Sequence, residues 1–273
     1  MERKILKTIK GGSPSITVYL NQVWQSRNLI ATFAIRDLKV QYAQTYLGVL
    51  WSLIQPLTGL LIFTFFFNRI LPLEVSAPYP VFVFTGIMGW FFFTSLVGQG
   101  GTVLLTNQLL IKKIHFPRLI LLLSKAFAGL IEFSISFCLL VVLMLFTGCD
   151  FTSRILLLPL AILCNILAGL SIAIWLSALT VRFRDLHHII PYLIGFGIWL
   201  TPVFYPTTIV PDNLNWIYYL HPAANVIAFY RWIFIGLPVD FPQLTCSMAL
   251  ASFIAISGLL YFIRNERFIA DYL

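Results

Sequence analysis

The stretch LILLLSKAFAGLIEFSISFCLLVVLMLFT, from Leu119 to Thr147, decides the fold class of this chain. It is apolar almost throughout and holds only two charged side chains, Lys125 and Glu132. A helix needs about 20 mainly apolar residues to cross roughly 30 Å of hydrocarbon. The stretch is therefore predicted to be a membrane-spanning helix that is long enough to cross at a tilt.

The composition of the whole chain indicates a membrane protein. Of its 273 residues, 59% are hydrophobic and only 10% are charged, whereas soluble domains have about 25% charged residues. A soluble fold of this length cannot bury so much apolar surface, because a sizeable fraction of the surface of the unfolded chain stays exposed to water after folding. A water-soluble enzyme is thus excluded, and the predicted fold class is an all-α integral membrane protein.

Six runs along the chain are long and apolar enough to be spans. The fifth is short and has prolines near both of its ends. Residues 1–46 are predicted to form a cytoplasmic N-terminal segment, and residues 47–273 a transmembrane domain of six spans. The spans are Leu47–Leu71, Val81–Gly101, Leu119–Thr147, Ile155–Val181, Ile189–Tyr205 and Gln243–Ile263.

The distribution of positive charge predicts the orientation. Of the 18 lysines and arginines, only Arg69, Arg154 and Arg231 fall on the side opposite the two termini. The positive-inside rule makes the side that is rich in lysine and arginine cytoplasmic, so both termini are expected there. The net charge of +8 is then a consequence of topology and does not indicate nucleic-acid binding.

The N-terminal segment is too polar for a signal peptide, since no apolar region follows its basic start. The stretch Leu20–Ile35 shows a helical period, and this predicts an amphipathic helix in the cytoplasmic headgroup layer. A cytosolic helix packed on a partner protein is the alternative. The apolar arc contains Leu20, Val23, Trp24, Ile30 and Ala34, and the polar arc Asn21, Gln25, Asn28, Thr32 and Arg36.

The outer segment 206–242 is rich in aromatic residues but has no run long enough to span. Its longest apolar run, Asn225–Leu237, suits a short re-entrant or interfacial helix. Two short helices are predicted, the first ending at Leu220 and the second running from Pro222 to Gly236. Two re-entrant helices that close a pathway and two helices that only cap the bundle explain this pattern equally well.

The sequence predicts no metal site and no cofactor. Its four cysteines are scattered and form no CxxC pair. The adjacent His187 and His188 would point about 100° apart on a helix and would chelate poorly. The phosphate-binding pattern GxxxxGK[ST] is absent, so any nucleotide hydrolysis is expected in another chain.

Short motifs along the chain resemble, in order, those of the membrane subunits of bacterial polysaccharide ABC exporters. That family exports O-antigen, capsule and teichoic acid chains. One departure is His221-Pro222, where the family usually has Asn-Pro. The motifs are Arg36-Asp37-Leu38-Lys39-Val40, Leu47-Gly48-Val49-Leu50-Trp51-Ser52, Gln55-Pro56, Gly86, Trp90-Phe91-Phe92-Phe93, Asn107, Leu110-Ile111-Lys112-Lys113, Phe116-Pro117-Arg118, Arg182-Phe183-Arg184-Asp185-Leu186, Thr201-Pro202-Val203-Phe204-Tyr205-Pro206, Arg231, Glu266-Arg267-Phe268 and Ala270-Asp271.

The resemblance implies a transport subunit of the bacterial inner (cytoplasmic) membrane that has no ATPase site of its own. It implies a homodimer that encloses one channel for lipid-linked polysaccharide, with two copies of a cytoplasmic ABC ATPase beneath. A lipid or drug exporter of the ABC class is the nearest alternative. A secondary transporter acting alone would need internal repeats and several buried acids, and a membrane glycan polymerase or transferase would need clustered acids or histidines.

The stretch Thr106–Ile114 is a short polar and basic segment between the second and third spans. With the resemblance it is expected to be a coupling helix that enters a groove of the ATPase; the alternative is a solvated turn whose lysines only follow topology. A second, smaller contact is expected at Arg182, Arg184 and Asp185, although these arginines could instead pair with Asp185 or lipid phosphates. The coupling residues are Asn107, Leu110, Ile111, Lys112, Lys113, Ile114, Phe116, Pro117 and Arg118.

Aromatic side chains on the first and fifth spans are candidates for lining a sugar pathway. The C–H face of a pyranose ring stacks favourably on an aromatic ring while its hydroxyls face water. Such stacking is weak and tolerant of sequence, so a long polymer can slide along it. Most other aromatics are expected in packing and in interfacial belts. The candidates are Tyr42, Tyr46, Trp51, Tyr192, Phe196 and Trp199.

Glu132 is the only carboxylate inside a predicted span. An acid within the membrane is costly, which makes it a candidate functional residue. Lys125 lies seven residues earlier on the same helical face. A structural pairing with Lys125 and a role in the transport path are equally favoured.

Overall fold

The computed structural model describes residues 15–70 and 75–272, without the side chains of residues 49, 68, 69, 212 and 267–272. Arg3, Lys4, Lys7 and Lys10, four of the charges used to predict the orientation, lie outside the described residues. The part of the chain that is described is helical and contains no strand. Its α-helices are α1 (Ile16–Gln25), α2 (Asn28–Tyr42), α3 (Trp51–Phe65), α4 (Tyr79–Gly101), α5 (Val103–Thr106), α6 (Gln108–Lys113), α7 (Leu119–Thr147), α8 (Leu158–Arg182), α9 (Leu186–Leu200), α10 (Trp216–Tyr219), α11 (Pro222–Ile235) and α12 (Phe241–Tyr272).

Four helical segments are long and apolar enough to cross a membrane. They correspond to the predicted second, third, fourth and sixth spans, and the fourth starts with a 3₁₀ turn before α8. An all-helical fold with four candidate membrane spans is thus confirmed for the described part of the chain. The four segments are Tyr79–Gly101, Leu119–Thr147, Ser153–Arg182 and Phe241–Glu266.

The predicted first and fifth spans correspond to shorter apolar helices. Both α3 and α9 have 15 residues, which at 1.5 Å per residue is about 22 Å. A 3₁₀ turn at Gly48–Leu50 precedes α3, and the π-helical residues Phe66–Ile70 follow it. Helix α9 ends at Leu200, not Tyr205, because Pro202 disfavours helical backbone at Thr201, which is extended at ψ 135°.

Helix α4 lies at the centre of the bundle. In its most apolar stretch 78% of the residues are buried, against 28% in each of the other three spanning segments. It packs against α3, α7, α8, α9 and α11. The backbone at Val203 passes so close to α4 that position 86 requires glycine. A Cβ at Gly86 would collide with the carbonyl oxygen of Val203.

The predicted N-terminal amphipathic helix is two helices. The break at Ser26 and Arg27 separates α1 from α2, and it changes which residues face the bundle. Of the predicted apolar arc, Val23 and Ala34 are buried, whereas Leu20 and Trp24 are 42% and 68% exposed. A continuous helix over Leu20–Ile35 was therefore wrong, because the arc was drawn through residues that belong to two separate helices.

The outer segment forms two short helices, as its pattern predicts. Helix α11 begins at Pro222 and its C-cap is Gly236, which has φ 72°. The ring of His221 caps the start of α11, with Nδ1 accepting from the backbone N–H of Ala224 at 3.4 Å. Most of α11 is buried against α4, α8 and α12, so it forms part of the core.

Candidate functional site

A cavity of about 790 Å³ lies between α2, α3, α4, α7 and α9. Its wall combines hydroxyl, amide and carboxylate groups with large aromatic rings. Such a wall offers both hydrogen bonds and flat apolar surfaces. The polar residues are Gln41, Ser52, Gln55, Thr58, Thr94, Ser95, Gln99, Glu132 and Ser136, and the aromatic ones Tyr42, Trp51, Trp90, Phe91, Phe92 and Phe133.

Glu132 is held in this wall by the last turn of α2. The Gln41 amide donates a hydrogen bond to Glu132 Oε1 at 2.9 Å. The Tyr42 hydroxyl donates to the same oxygen at 3.1 Å. Donors on a carboxylate oxygen stabilise its negative charge in an apolar setting. Glu132 remains partly exposed to the cavity.

The pairing of Lys125 with Glu132 does not form. Lys125 Nζ lies instead 2.8 Å from Asp37 Oδ2, and the two side chains are only 14% and 16% exposed. Helix α2 packs along α7 and brings its own acid to Lys125. A pattern read along α7 alone could not reveal this partner, because Asp37 belongs to a different helix.

Arg36 connects the same acid to the predicted coupling segment. Its guanidinium donates to Asp37 Oδ1 from Nε at 2.9 Å and from Nη2 at 2.6 Å. Nη2 also donates to Asn107 Oδ1 at 2.8 Å. Since Asn107 is the N-cap residue of α6, one polar network joins α6, α2 and α7.

The predicted coupling segment folds as the short helix α6. Ile111 and Phe116 are buried and attach it to the bundle, whereas Leu109 and Ile114 are 71% and 54% exposed. The lysines at 112 and 113 are exposed beside them, and Leu110 is half-buried. The outer face of α6 is therefore apolar and basic. Sequence reasoning did not select Leu109.

The end of this segment is tied to both termini of the described chain. The backbone N–H of Arg118 donates to Glu266 Oε1 at 2.8 Å, and that of Leu119 donates to the Tyr19 hydroxyl at 3.3 Å. These bonds satisfy two N–H groups at the start of α7, which have no partner within the helix. Burial, and then the charge of Glu266, raise the pKa of the Tyr19 phenol.

The second predicted contact lies between α8 and α9. Arg182, Phe183, Arg184 and Asp185 are all exposed there. Among the described side chains, ion pairs within 4.0 Å form at Asp37, and neither arginine pairs with Asp185. The guanidinium of Arg182 lies 5.4 Å from the centre of the Phe183 ring. This loop presents unpaired positive charge after the last turn of α8.

The structure divides the six predicted aromatic residues into two groups. Tyr42 and Trp51 line the cavity. The other four lie outside its wall and are exposed. They are Tyr46 at 104%, Tyr192 and Phe196 at 71% and Trp199 at 57%.

Sequence reasoning missed the contribution of α4 to the cavity. Trp90 and Phe91, which belong to the motif Trp90-Phe91-Phe92-Phe93, line the cavity. Ser95 and Gln99 also line it and lie one turn apart, with the Gln99 amide donating to Ser95 Oγ at 3.3 Å. Polar residues at this spacing within an apolar helix were the available signal.

A buried arginine joins α4, α11 and the chain after α9 at one end of the bundle. Arg231 is 4% exposed and donates to Val203 O at 2.6 Å and to Phe82 O at 3.4 Å. Its guanidinium lies 3.6 Å from the centre of the Phe82 ring. The Tyr79 hydroxyl adds a bond to Phe204 O at 2.7 Å. Together these contacts join α4 and α11 to the chain that follows α9.

Residues 28–235 match the family described as ABC-2 type transporter. The chain is 29% identical over 217 residues to the O-antigen export system permease protein RfbA of Myxococcus xanthus, covering 79% of this chain and 83% of the relative. A permease of the same name from Klebsiella pneumoniae is 26% identical over 236 residues, covering 86% and 91%. The polysialic acid transport protein KpsM of Escherichia coli is 22% identical over 204 residues, covering 72% and 77%.

These relatives confirm the resemblance to polysaccharide exporter subunits that the motifs indicate. The family match covers well over half of the chain and runs from α2 through α11. It therefore includes α6 and the helices that form the cavity. The chain is a member of the ABC-2 type transporter family.

Proposed function

We propose that this chain is the membrane subunit of an ATP-driven exporter that moves lipid-linked polysaccharide across the bacterial cytoplasmic membrane. The observation that carries the proposal is the cavity, whose wall places aromatic rings such as Trp51 and Trp90 beside amides and hydroxyls. Sugar rings would stack on the former and bond to the latter. Each contact is weak, so a polymer can advance without being trapped. The names of the relatives support the same substrate class.

Energy for transport would come from a separate ATPase that docks on α6 and on the Arg182–Asp185 loop. The chain has no phosphate-binding loop of its own. Movement of α6 would reach Asp37 through Asn107 and Arg36. Asp37 holds Lys125 on α7, and the next turns of α2 and α7 carry Tyr42 and Glu132 into the cavity wall. The effect of ATP binding would thus reach the polymer path through a chain of hydrogen bonds and an ion pair. This requires that these contacts differ between the ATP-bound and ATP-free states.

The working form would be a homodimer with six spans in each copy. Helices α3 and α9, with the turns that flank α3, would supply the first and fifth spans. Only Ile190 of α9 is buried, and its exposed stripe includes Tyr192, Phe196 and Trp199. A second copy facing this stripe would enclose one channel between the subunits. Helices α10 and α11 would close its outer end, and both termini would be cytoplasmic.

The N-terminal helix α1 would lie in the cytoplasmic headgroup layer. It presents an exposed apolar surface, with Ile16 43%, Val18 51% and Trp24 68% exposed. The Arg27 guanidinium lies 5.0 Å from the centre of the Trp24 ring. An apolar face edged by a cation suits this layer.

Deletion of the gene in its own host tests the proposed function. We expect surface polysaccharide to disappear and lipid-linked polymer to accumulate inside the cell, with both effects reversed by the wild-type gene. Normal surface polysaccharide together with altered lipid or drug efflux would instead identify a lipid or drug exporter.

A further inference from the structure

The wall of the cavity carries one ionisable acid and no basic side chain. Glu132 is the acid, and none of the residues lining the cavity is lysine, arginine or histidine. Helices α3, α4 and α9 have no Lys, Arg, Asp or Glu along their described lengths. The fixed charge of the described wall is therefore that of a single carboxylate.

No described cation neutralises Glu132. Its two hydrogen-bond donors, the Gln41 amide and the Tyr42 hydroxyl, are uncharged. Lys125, on the same helix, is bound to Asp37 at 2.8 Å and is 14% exposed. Arg36, which reaches Asp37 from α2, is bound to the same acid. The nearby cations are thus committed to Asp37.

An uncompensated carboxylate has two consequences for a polymer. Water screens it poorly in an apolar bundle, so it repels other anions more strongly than a surface acid would. It also accepts hydrogen bonds, and sugar hydroxyls are donors. A neutral polyhydroxyl chain gains from Glu132, whereas a chain with a carboxylate or phosphate in each repeat meets the same repulsion at every step.

We propose that Glu132 makes this channel selective for polysaccharides whose repeating units are uncharged, and that it excludes anionic polymers. This inference rests on the function proposed above. It assigns Glu132 as the specificity-determining residue of the polymer path, with Gln41 and Tyr42 as the residues that position its carboxylate.

The first test measures binding to the purified full-length chain in lipid nanodiscs by calorimetry. The probes are two oligosaccharides of equal length, a neutral glucan and an anionic oligogalacturonate. We expect the anionic probe to bind at least about tenfold more weakly at low salt, and Glu132→Gln to remove most of that difference. Asp150→Asn removes an exposed acid outside the cavity and should leave the difference intact. Equal binding of both probes, no binding of either, or an unchanged difference in Glu132→Gln would overturn the proposal.

The second test needs no variant. Polymer trapped inside the deletion strain is purified, and its repeating unit is assayed for uronic acids, sialic acids and phosphate. A neutral repeating unit supports the proposal, and an anionic one overturns it while leaving polysaccharide export standing. If the deletion strain traps no polymer, the proposed function itself has failed.

Discussion

Lys125 Nζ on α7 lies 2.8 Å from Asp37 Oδ2 on α2, and this contact fixes the packing of the two helices. Asp37 also accepts two hydrogen bonds from Arg36, which binds Asn107 at the start of α6. The acid therefore lies between α6 and the cavity wall. Its position gives the proposed coupling a physical route that can be broken at one residue.

Replacement of Asp37 by Asn should uncouple the two ends of this route. Lys125 would lose its ionic partner in a place where its side chain is largely buried, and loss of one member of a buried pair costs on the order of 3 kcal/mol. We expect a lower unfolding temperature in detergent and strongly reduced export, measured by thermal unfolding and by surface polymer. Asp150→Asn, at an exposed acid, is the control; equal behaviour of the two variants would contradict the assigned role of Asp37.

The outer face of α6 should carry the ATPase contact. Ile114 is 54% exposed, so Ile114→Asp should spare folding and membrane abundance but reduce co-purification of the ATPase, because an apolar anchor in a partner groove would become a buried charge. Replacing Lys112 and Lys113 with glutamate should weaken the complex in a salt-sensitive way. Normal export with the ATPase still bound to Ile114→Asp would show that α6 does not dock the ATPase, and the coupling would then run through Arg182–Asp185.

Gly86 should tolerate no side chain, since a Cβ there would collide with Val203 O and approach the Arg231 guanidinium. We expect Gly86→Ala to destabilise the protein by about 1–3 kcal/mol, as overpacking does in a core. The matched control is Gly195→Ala, also within a helix, where a Cβ meets no atom within 4 Å. Thermal unfolding of both variants is the measurement. A Gly86→Ala protein as stable as Gly195→Ala would mean that α4 does not pack closely against Val203 and Arg231.

Stability should fall as the pH is lowered through the range in which an ordinary histidine titrates. Burial lowers the pKa of His221, so at pH values near its ordinary value of about 6.5 the unfolded chain binds more protons than the folded one. Its contribution to stability is therefore present above that pH and is lost below it. His221→Asn keeps a residue type that caps helices well and should flatten the dependence of the unfolding temperature on pH between 7.5 and 5. His188→Asn, at an exposed histidine, should leave the dependence of the unfolding temperature on pH unchanged. An unchanged slope in His221→Asn would remove His221 as the cause.

The elements that depend on local sequence were the ones that could be predicted. The four spanning segments were predicted from the length of their apolar runs. The bounds of α11 were predicted from Pro222 and Gly236, because each of these residues affects only the helical turn next to it. The break between α1 and α2 was missed because Ser26 and Arg27 are both compatible with a helix. The partners of Lys125 and Glu132 come from α2, so their identity depends on how helices pack and cannot be read along α7.

The candidate site shows the same division. Of the six aromatic residues predicted to line a sugar pathway, Tyr42 and Trp51 lie on the cavity wall. Ser95 and Gln99 were missed because their role depends on which face of α4 opens to the cavity. That face is set by contacts with α3, α7 and α9, which lie far away in sequence.

Passage of polysaccharide through the cavity can be tested directly. The most direct measurement places a photo-crosslinking amino acid at Gln55, which lines the cavity, in cells that export radiolabelled polymer. The control position is Leu163 on α8, which is 61% exposed and outside the cavity wall. We expect ATP-dependent crosslinking of polymer at Gln55 and none at Leu163. Crosslinking at Leu163 alone, or at neither position during active export, would contradict it.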